Sequence, residues 1–358
     1  MLTIDAVRDV KGPNEIEGVI NYAKKLGFGD IHFKIDPTTN LIAIIAIHST
    51  KLGPSLGGCR FLEYPSFTSA LQDAIRLAWG MSYKAAISGL PLGGGKSVLL
   101  KPKELPDRAA YFEAFGRFIE ELGGRYITAV DSGTSTFDMD AIARSTSYVT
   151  STSAVNGDPS PYTALGVRKA IEAAVKFQLG KTDLSGIHVA IQGVGNVGYY
   201  LAKELHQLGA KLTVSDINPA MVQRCVNEFA AATIETQLTH QVACDVFAPC
   251  ALGAILNDQT IAEIKAPIIA GAANNQLAEI RHGELLQQRG ILYAPDYVIN
   301  SGGLIDVAAQ YYHDPKSKVI KQVENIYNTT MNIFELAKKE NAPTSNIADR
   351  IAAEKIAG

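Results

Sequence analysis

Apolar positions follow two different rhythms along this chain. The run Leu41-Ile-Ala-Ile-Ile-Ala-Ile47 is continuous and rich in branched side chains, the pattern of a strand buried on both faces. Residues 66–87 instead repeat apolar side chains at helical spacing. From Tyr162 onward helix and strand alternate: a helix over 165–177, a strand over 187–192, a helix over 199–208 and a strand over 211–215. Strand-like runs follow at 245–249, 267–270 and 291–295, and 319–339 predicts one long amphipathic helix. Alternation of this kind predicts a parallel sheet with crossover helices, whereas the first third predicts a mixed sheet. The expected fold class is α/β with two domains, residues 1–148 and 149–332, because 358 residues exceed the roughly 100 to 200 typical of one domain.

Two glycine-rich segments flank the 66–87 helix, Gly53-Pro-Ser-Leu-Gly-Gly-Cys-Arg60 and Gly89-Leu-Pro-Leu-Gly-Gly-Gly-Lys-Ser97. Both read as turns that let backbone approach a ligand, and so as candidate site walls. The second imitates a phosphate-binding P-loop, but that motif needs glycine where this chain has Leu90. Lys84 continues the helical row of Leu77 and Met81, placing a cation where the pattern asks for an apolar side chain. Lys96 follows three glycines that leave its ammonium little surrounding bulk. Two cations near one pocket suit an amino-acid substrate: one pairs with the carboxylate, and the other, desolvated and repelled, becomes a base. Asp131 ends the apolar stretch 126–130 and is a candidate proton-shuttling carboxylate.

In the second half, Gly193-Val-Gly-Asn-Val-Gly198 sits between an expected strand and an expected helix, and the next strand ends in Asp216. The spacing suits a dinucleotide. Gly193 makes the tight turn, Gly195 lets the backbone reach a pyrophosphate, Gly198 allows close helix packing, and the helix N-terminus favours negative charge. Asp216 would bond the ribose hydroxyls and repel a 2'-phosphate, which favours NAD over NADP.

Composition narrows the partners. With 33 Lys+Arg against 36 Asp+Glu the formal charge is −3, which argues against nucleic acid or an acidic membrane surface as partner and for a small ligand. The four cysteines, Cys59, Cys225, Cys244 and Cys250, match no zinc or disulfide framework, so reduced thiols in a cytoplasmic protein, and no metal, are expected. Residues 1–9 carry charges where a secretory signal needs an apolar stretch.

Taken together the motifs resemble the glutamate/leucine/phenylalanine/valine dehydrogenase family over nearly the whole chain. They include Gly53-Pro-x-Leu-Gly-Gly-x-Arg60, Gly80-Met-x-Tyr-Lys84, Leu92-Gly-Gly-Gly-Lys96, Asp131, Asp158-Pro-Ser-Pro-x-Thr163, Ala248-Pro-Cys-Ala-Leu-Gly253, Gly271-Ala-Ala-Asn-Asn-Gln276 and Ala294-Pro-Asp-Tyr-Val-Ile-Asn300. The resemblance implies NAD-dependent conversion of an apolar L-amino acid to its 2-oxo acid and ammonia. It implies that Lys84 binds the substrate carboxylate, Lys96 activates water and Asp131 exchanges protons with the amino group. Leu56, Gly57, Ala129, Leu304 and Val307 would line the substrate pocket and Asn275 would reach the substrate. Thr163, Ala272 and Asn274 would hold the nicotinamide, with Val194, Asn196, Val197, Cys250 and Ala251 completing the cofactor site. A last helix, about 333–358, would return to the first domain beside a cleft, and the chain would form a homo-oligomer. Ala129 resembles branched-chain members and Leu304 aromatic ones, so leucine, isoleucine and valine are favoured with phenylalanine-type substrates as the alternative. A non-catalytic NAD sensor would be expected to lack Lys96 or Asp131.

Overall fold

The computed structural model describes residues 16–105, 107–154 and 157–358; the reading of the first nine residues lies outside them. The chain divides into two compact units. One takes in the described residues up to Gly157 with Val307–Asp314 and Ala352–Gly358; the other is Asp158–Asp306 with Pro315–Ile351.

In the first unit α1 (Ile16–Lys25) precedes β1 (Asp30–Asp36), β2 (Leu41–Ser49), β3 (Ser55–Leu62), α2 (Phe67–Ile87), β4 (Gly93–Leu100), α3 (Arg108–Glu121), β5 (Tyr126–Val130) and α4 (Thr136–Ala143). The sheet order is β1-β2-β4-β3-β5, antiparallel on the β1 and β2 side and parallel among β4, β3 and β5, so it is mixed as expected. Ile44, Ala46 and Val98 face α1 and α2, while Ala43, Ile45 and Leu99 pack with Tyr111, Phe112 and Phe115 of α3. Burial on both faces explains why 41–47 is continuously apolar. Ser66 caps α2, its side chain accepting from the Ser69 amide at 3.1 Å.

Two local expectations are corrected here. The glycine-rich segments are mostly strand, β3 and β4, and not turns. Their glycines serve packing: a Cβ on Gly94 would lie 2.0 Å from the Ser82 backbone nitrogen of α2, and one on Gly57 would lie 1.7 Å from the Gly95 carbonyl oxygen. The row of Leu77, Met81 and Lys84 is half-buried, because α2 turns Ala70, Ala74, Ala78, Ser82 and Ala85 toward the sheet. Lys84 is therefore not a charge on the core face.

The second unit opens with α5 (Ser160–Leu179), then β6 (His188–Gln192), α6 (Asn196–Gln207), β7 (Lys211–Ser215), α7 (Pro219–Phe229), β8 (Ala232–Thr233), β9 (Val246–Pro249), α8 (Asp258–Glu263), β10 (Ile268–Ile269), α9 (Arg281–Gln288) and β11 (Leu292–Tyr293). The sheet is wholly parallel in the order β11-β10-β9-β6-β7-β8, a Rossmann-type arrangement. The end of the chain forms α10 (Asp296–Ile299), α11 (Gly302–Tyr312), α12 (Lys316–Glu324), α13 (Ile326–Glu340) and α14 (Thr344–Ala357). The 319–339 helix is thus two helices meeting at Asn325, which closes α12 and caps α13. Of α14, only the part from Ala352 onward belongs to the first unit.

Candidate active site

In the first unit, strand alternation and register gather the candidates on one sheet face. Leu56 pairs with Gly94 of β4 and Ile127 of β5, and Gly58 pairs with Ala129. Side chains alternate along a strand, so Leu56, Gly58 and Arg60 share a face with Lys96, Ala129 and Asp131. Leu56 and Ala129 are buried, and Lys96 is 8 % exposed as a side chain. Lys96 forms a direct ion pair with Asp131, whose other cation is Arg60, Nε to Oδ2 at 3.3 Å. A Cβ on Gly58 would lie 2.7 Å from the Asp131 Cβ, so the carboxylate occupies the space that the missing side chain leaves. The turn after β5 is fixed: the Asp131 amide donates to Thr134 Oγ1 at 2.9 Å, and that hydroxyl donates to the Cys59 carbonyl at 2.9 Å.

Burial pushes the Lys96 ammonium below its ordinary range, against the pull of Asp131. Burial also works against the Asp131 carboxylate, but Lys96 and Arg60 outweigh it and hold the carboxyl low. The pair offers a desolvated amine that gives up its proton more readily than a surface lysine, beside a carboxylate that stays ionised. That combination suits proton transfer. Lys84 lies half-buried in the last turn of α2, the helix packed on β4.

In the second unit the fingerprint loop follows β6 as the spacing predicts. Gly193 has φ +95, its amide donates to the Ser215 carbonyl at 2.8 Å, and a Cβ on Gly198 would lie 2.0 Å from the Gly193 carbonyl oxygen. A Cβ on Gly195, the N-cap of α6, would meet no atom within 4 Å. A pyrophosphate fits this open backbone at a helix N-terminus. Val194 is buried, Asn196 exposed and Val197 half-buried. Asp216 follows β7, where Oδ2 accepts from the Val194 amide at 2.7 Å and Oδ1 from the Asn218 amide at 2.8 Å.

The remaining cofactor candidates gather on loops after β9 and β10. The Cys250 amide donates to the Gln192 carbonyl at 2.7 Å, the Ala272 amide meets Cys250 Sγ at 3.4 Å, and burial pushes the Cys250 thiol up to about 12. Ala251 is exposed and lies against Gly193. Asn274 and Asn275 are exposed, the latter with φ +53. Three residues without a role in the sequence reading hold this loop. The Asn300 side-chain amide donates to the Ala272 carbonyl at 3.0 Å and to Asn274 Oδ1 at 2.7 Å. The Gln276 side chain donates to the Gly271 and Ala273 carbonyls at 2.7 and 2.9 Å, and its own amide donates to Asp296 at 2.7 Å. Their place within the 271–276 and 294–300 motifs was the available signal. Thr163, on α5, bonds back to the Pro159 carbonyl at 3.2 Å and sits under Gly303. Leu304 and Val307 lie one turn apart on α11.

Residues 30–148 match the family model described as the Glu/Leu/Phe/Val dehydrogenase dimerisation domain, and 158–225 with 221–358 match the Glutamate/Leucine/Phenylalanine/Valine dehydrogenase model. The chain belongs to this family. This amino-acid dehydrogenase is 49% identical over 341 residues to leucine dehydrogenase of Geobacillus stearothermophilus, covering 94% of this chain and 93% of that one. It is 43% identical over 335 residues to L-tryptophan dehydrogenase of Nostoc punctiforme, covering 93% and 94%. A crystal structure of L-tryptophan dehydrogenase from the same organism matches the dehydrogenase with a TM-score of 0.86 at 41% identity, covering 94% and 98%. Family and Rossmann-type sheet together are consistent with a nicotinamide cofactor. Among the described residues no helix is long and apolar enough to cross a membrane.

Proposed function

We propose that this dehydrogenase deaminates apolar L-amino acids oxidatively and reversibly with NAD, leucine, isoleucine and valine being the favoured substrates. The observation that carries the reading is the buried Lys96–Asp131 pair on the face that also presents Leu56 and Ala129. Identity to leucine dehydrogenase at 49% supports the branched-chain preference. The carboxylate of Asp216 after β7 supports NAD, since a 2'-phosphate would meet a like charge.

A nicotinamide dinucleotide, held by the 193–198 loop, Asp216, Thr163, Cys250, Ala251, Ala272 and Asn274, would supply the acceptor for the hydride from the substrate's α carbon. Lys84 binds the α-carboxylate. Neutral Lys96 takes a proton from water as the oxygen adds to the imino carbon. Asp131, ionised at rest, takes a proton from the substrate ammonium before the hydride leaves, returns it to the nitrogen of the carbinolamine, and accepts the hydroxyl proton as oxo acid and ammonia are released. Asn275 and Gly57 contact the substrate. Leu56 and Ala129 give the substrate side chain an apolar surface on the face that carries Lys96.

Following NADH absorbance with NAD and a panel of leucine, isoleucine, valine, phenylalanine, tryptophan and glutamate tests this. Branched-chain turnover that Lys96→Ala lowers at least about 1000-fold is expected. No turnover with any of the six would remove the assignment. A second reading, an aromatic preference, is favoured by the bulk of buried Leu304 and the likeness to L-tryptophan dehydrogenase, and a tenfold lead of phenylalanine or tryptophan over leucine would establish it. The chain is proposed to act as a homo-oligomer in the cytoplasm. The edge strand β1 leaves Phe33 and Ile35 50% and 69% exposed, in a region whose family model is described as a dimerisation domain.

A further inference from the structure

Charges of alternating sign run through the first unit from the reacting pair to helix α2. Lys96 on β4 meets Asp131 after β5. Asp131 Oδ2 accepts from Arg60 Nε on β3 at 3.3 Å, and Arg60 Nη1 donates to Asp73 Oδ2 on α2 at 2.8 Å. The Tyr64 hydroxyl donates to that same oxygen at 2.8 Å, and Arg76 Nη2 donates to Asp73 Oδ1 at 2.8 Å. The mechanism above uses only the first two of these groups. We propose that Arg60 is a positioning residue: braced by Asp73, its guanidinium fixes the Asp131 carboxylate and biases Lys96 toward the neutral form that the reaction needs. The inference rests on the assignment of Lys96 as base.

Charge counting explains the bias. A buried lysine paired one-to-one with a carboxylate is at its most stable protonated. Arg60 makes that carboxylate shared, and across the connected network three cations, Lys96, Arg60 and Arg76, face two carboxylates, Asp131 and Asp73, which leaves one excess positive charge. Loss of one proton relieves it, and the lysine must lose it because a guanidinium does not deprotonate in proteins. The planar fork also lets Nε face Asp131 while Nη1 faces Asp73, which a single ammonium cannot do. Of the other groups around the site, Cys59 and Tyr126 point to the opposite face of the sheet, where burial raises both and keeps them neutral, Cys59 up to about 12. Asp138 is paired with Arg108 at 2.6 Å, and α2 contributes Asp73, Arg76 and Lys84.

The pH dependence of kcat/KM for deamination, measured on the full-length enzyme, tests the proposal. In Arg60→Gln the limb that rises with pH is expected to move about one unit to the alkaline side, with kcat/KM at pH 8 about tenfold lower and kcat affected more than KM. Arg60→Lys restores the position of the limb but not the full kcat. Asp73→Asn, which removes a negative charge, moves the limb to the acid side. Trace acetylation of Lys96 by acetic anhydride across pH, read by peptide mass spectrometry, reports the same shifts without turnover. A folded Arg60→Gln enzyme whose limb and acetylation profile match wild type would overturn the proposal even if kcat fell. If that variant fails to fold, unshifted profiles in Arg60→Lys and Asp73→Asn that differ only in melting temperature are expected of a purely structural arginine, and the Asp73→Asn result then overturns it. A wild-type enzyme without Lys96-dependent deamination would sink the underlying assignment instead, while the acetylation profile would still decide whether Arg60 governs Lys96.

Discussion

At the residue scale the site is shaped as much by a missing side chain as by those present. Gly58 leaves the volume that Asp131 fills, since a methyl on its Cα would come within 2.7 Å of the Asp131 Cβ. Gly58→Ala should therefore displace the carboxylate from Lys96 and lower kcat about 100-fold, while the 193–198 loop keeps its affinity for NAD. Steady-state kinetics and an NAD titration check this, and an alanine enzyme with wild-type kcat would contradict it. Lys96 and Asp131 were legible in the sequence because each is a charge in glycine or apolar surroundings. Arg60, Gln276, Asp296 and Asn300 were not, because their work is to hold other groups through bonds such as Arg60 to Asp131 and Gln276 to Asp296, between residues that spacing does not relate.

At the scale of elements, the long periodic segments were read correctly except 319–339, which is two helices, and the glycine-rich ones were not. Residues 66–87 and the alternation after 162 carry patterns of a single element type, and the length and branched side chains of 41–47 mark it as strand. Glycine signals either a turn or a strand pressed against its neighbours, and only the contacts of Gly57 and Gly94 separate the two. The loop 271–276 was legible as a motif, yet its shape depends on α10 and its neighbours. There Asp296 holds Gln276, and the Tyr297 hydroxyl donates to Asp349 of α14 at 2.8 Å. Burial, aided by Asp296 and opposed by the Tyr297 hydroxyl, lifts the Asp349 carboxyl to about 7. An unfolded-chain aspartate titrates near ~3.9, so between about pH 4 and pH 7 the folded state holds the extra proton and stability falls as pH rises through that window. Asp349→Asn stays neutral and keeps an acceptor for Tyr297. Its melting temperature should exceed wild type by a few degrees at pH 8, within a ceiling of about 4 kcal/mol, and the lead should vanish near pH 4. Thermal melts across pH decide it; a variant that tracks wild type at every pH would refute the assignment of that titration.

At the scale of the whole molecule, the two units are interleaved in sequence: α11 and α14 each begin in the second unit and end in the first. This interleaving was only partly visible beforehand, since the pattern of apolar residues reports that a helix buries a face and not which core receives it. Removing Ala352–Gly358 should lower the melting temperature of the first unit. Ala352 is fully buried, and Lys355 Nζ donates to the Ile87 carbonyl at 3.4 Å, together about 1 to 2 kcal/mol. Calorimetry of the truncated enzyme, with NAD titration as the readout for the second unit, is expected to show the first transition displaced and NAD affinity retained. The same interleaving sets an order of events during synthesis. Domains ordinarily fold as they emerge, the N-terminal one first. Here the unit that emerges first must wait for residues 307–314 and then for 352–358, so the unit that carries Lys96 and Asp131 is completed only after nearly all of the second unit has left the ribosome.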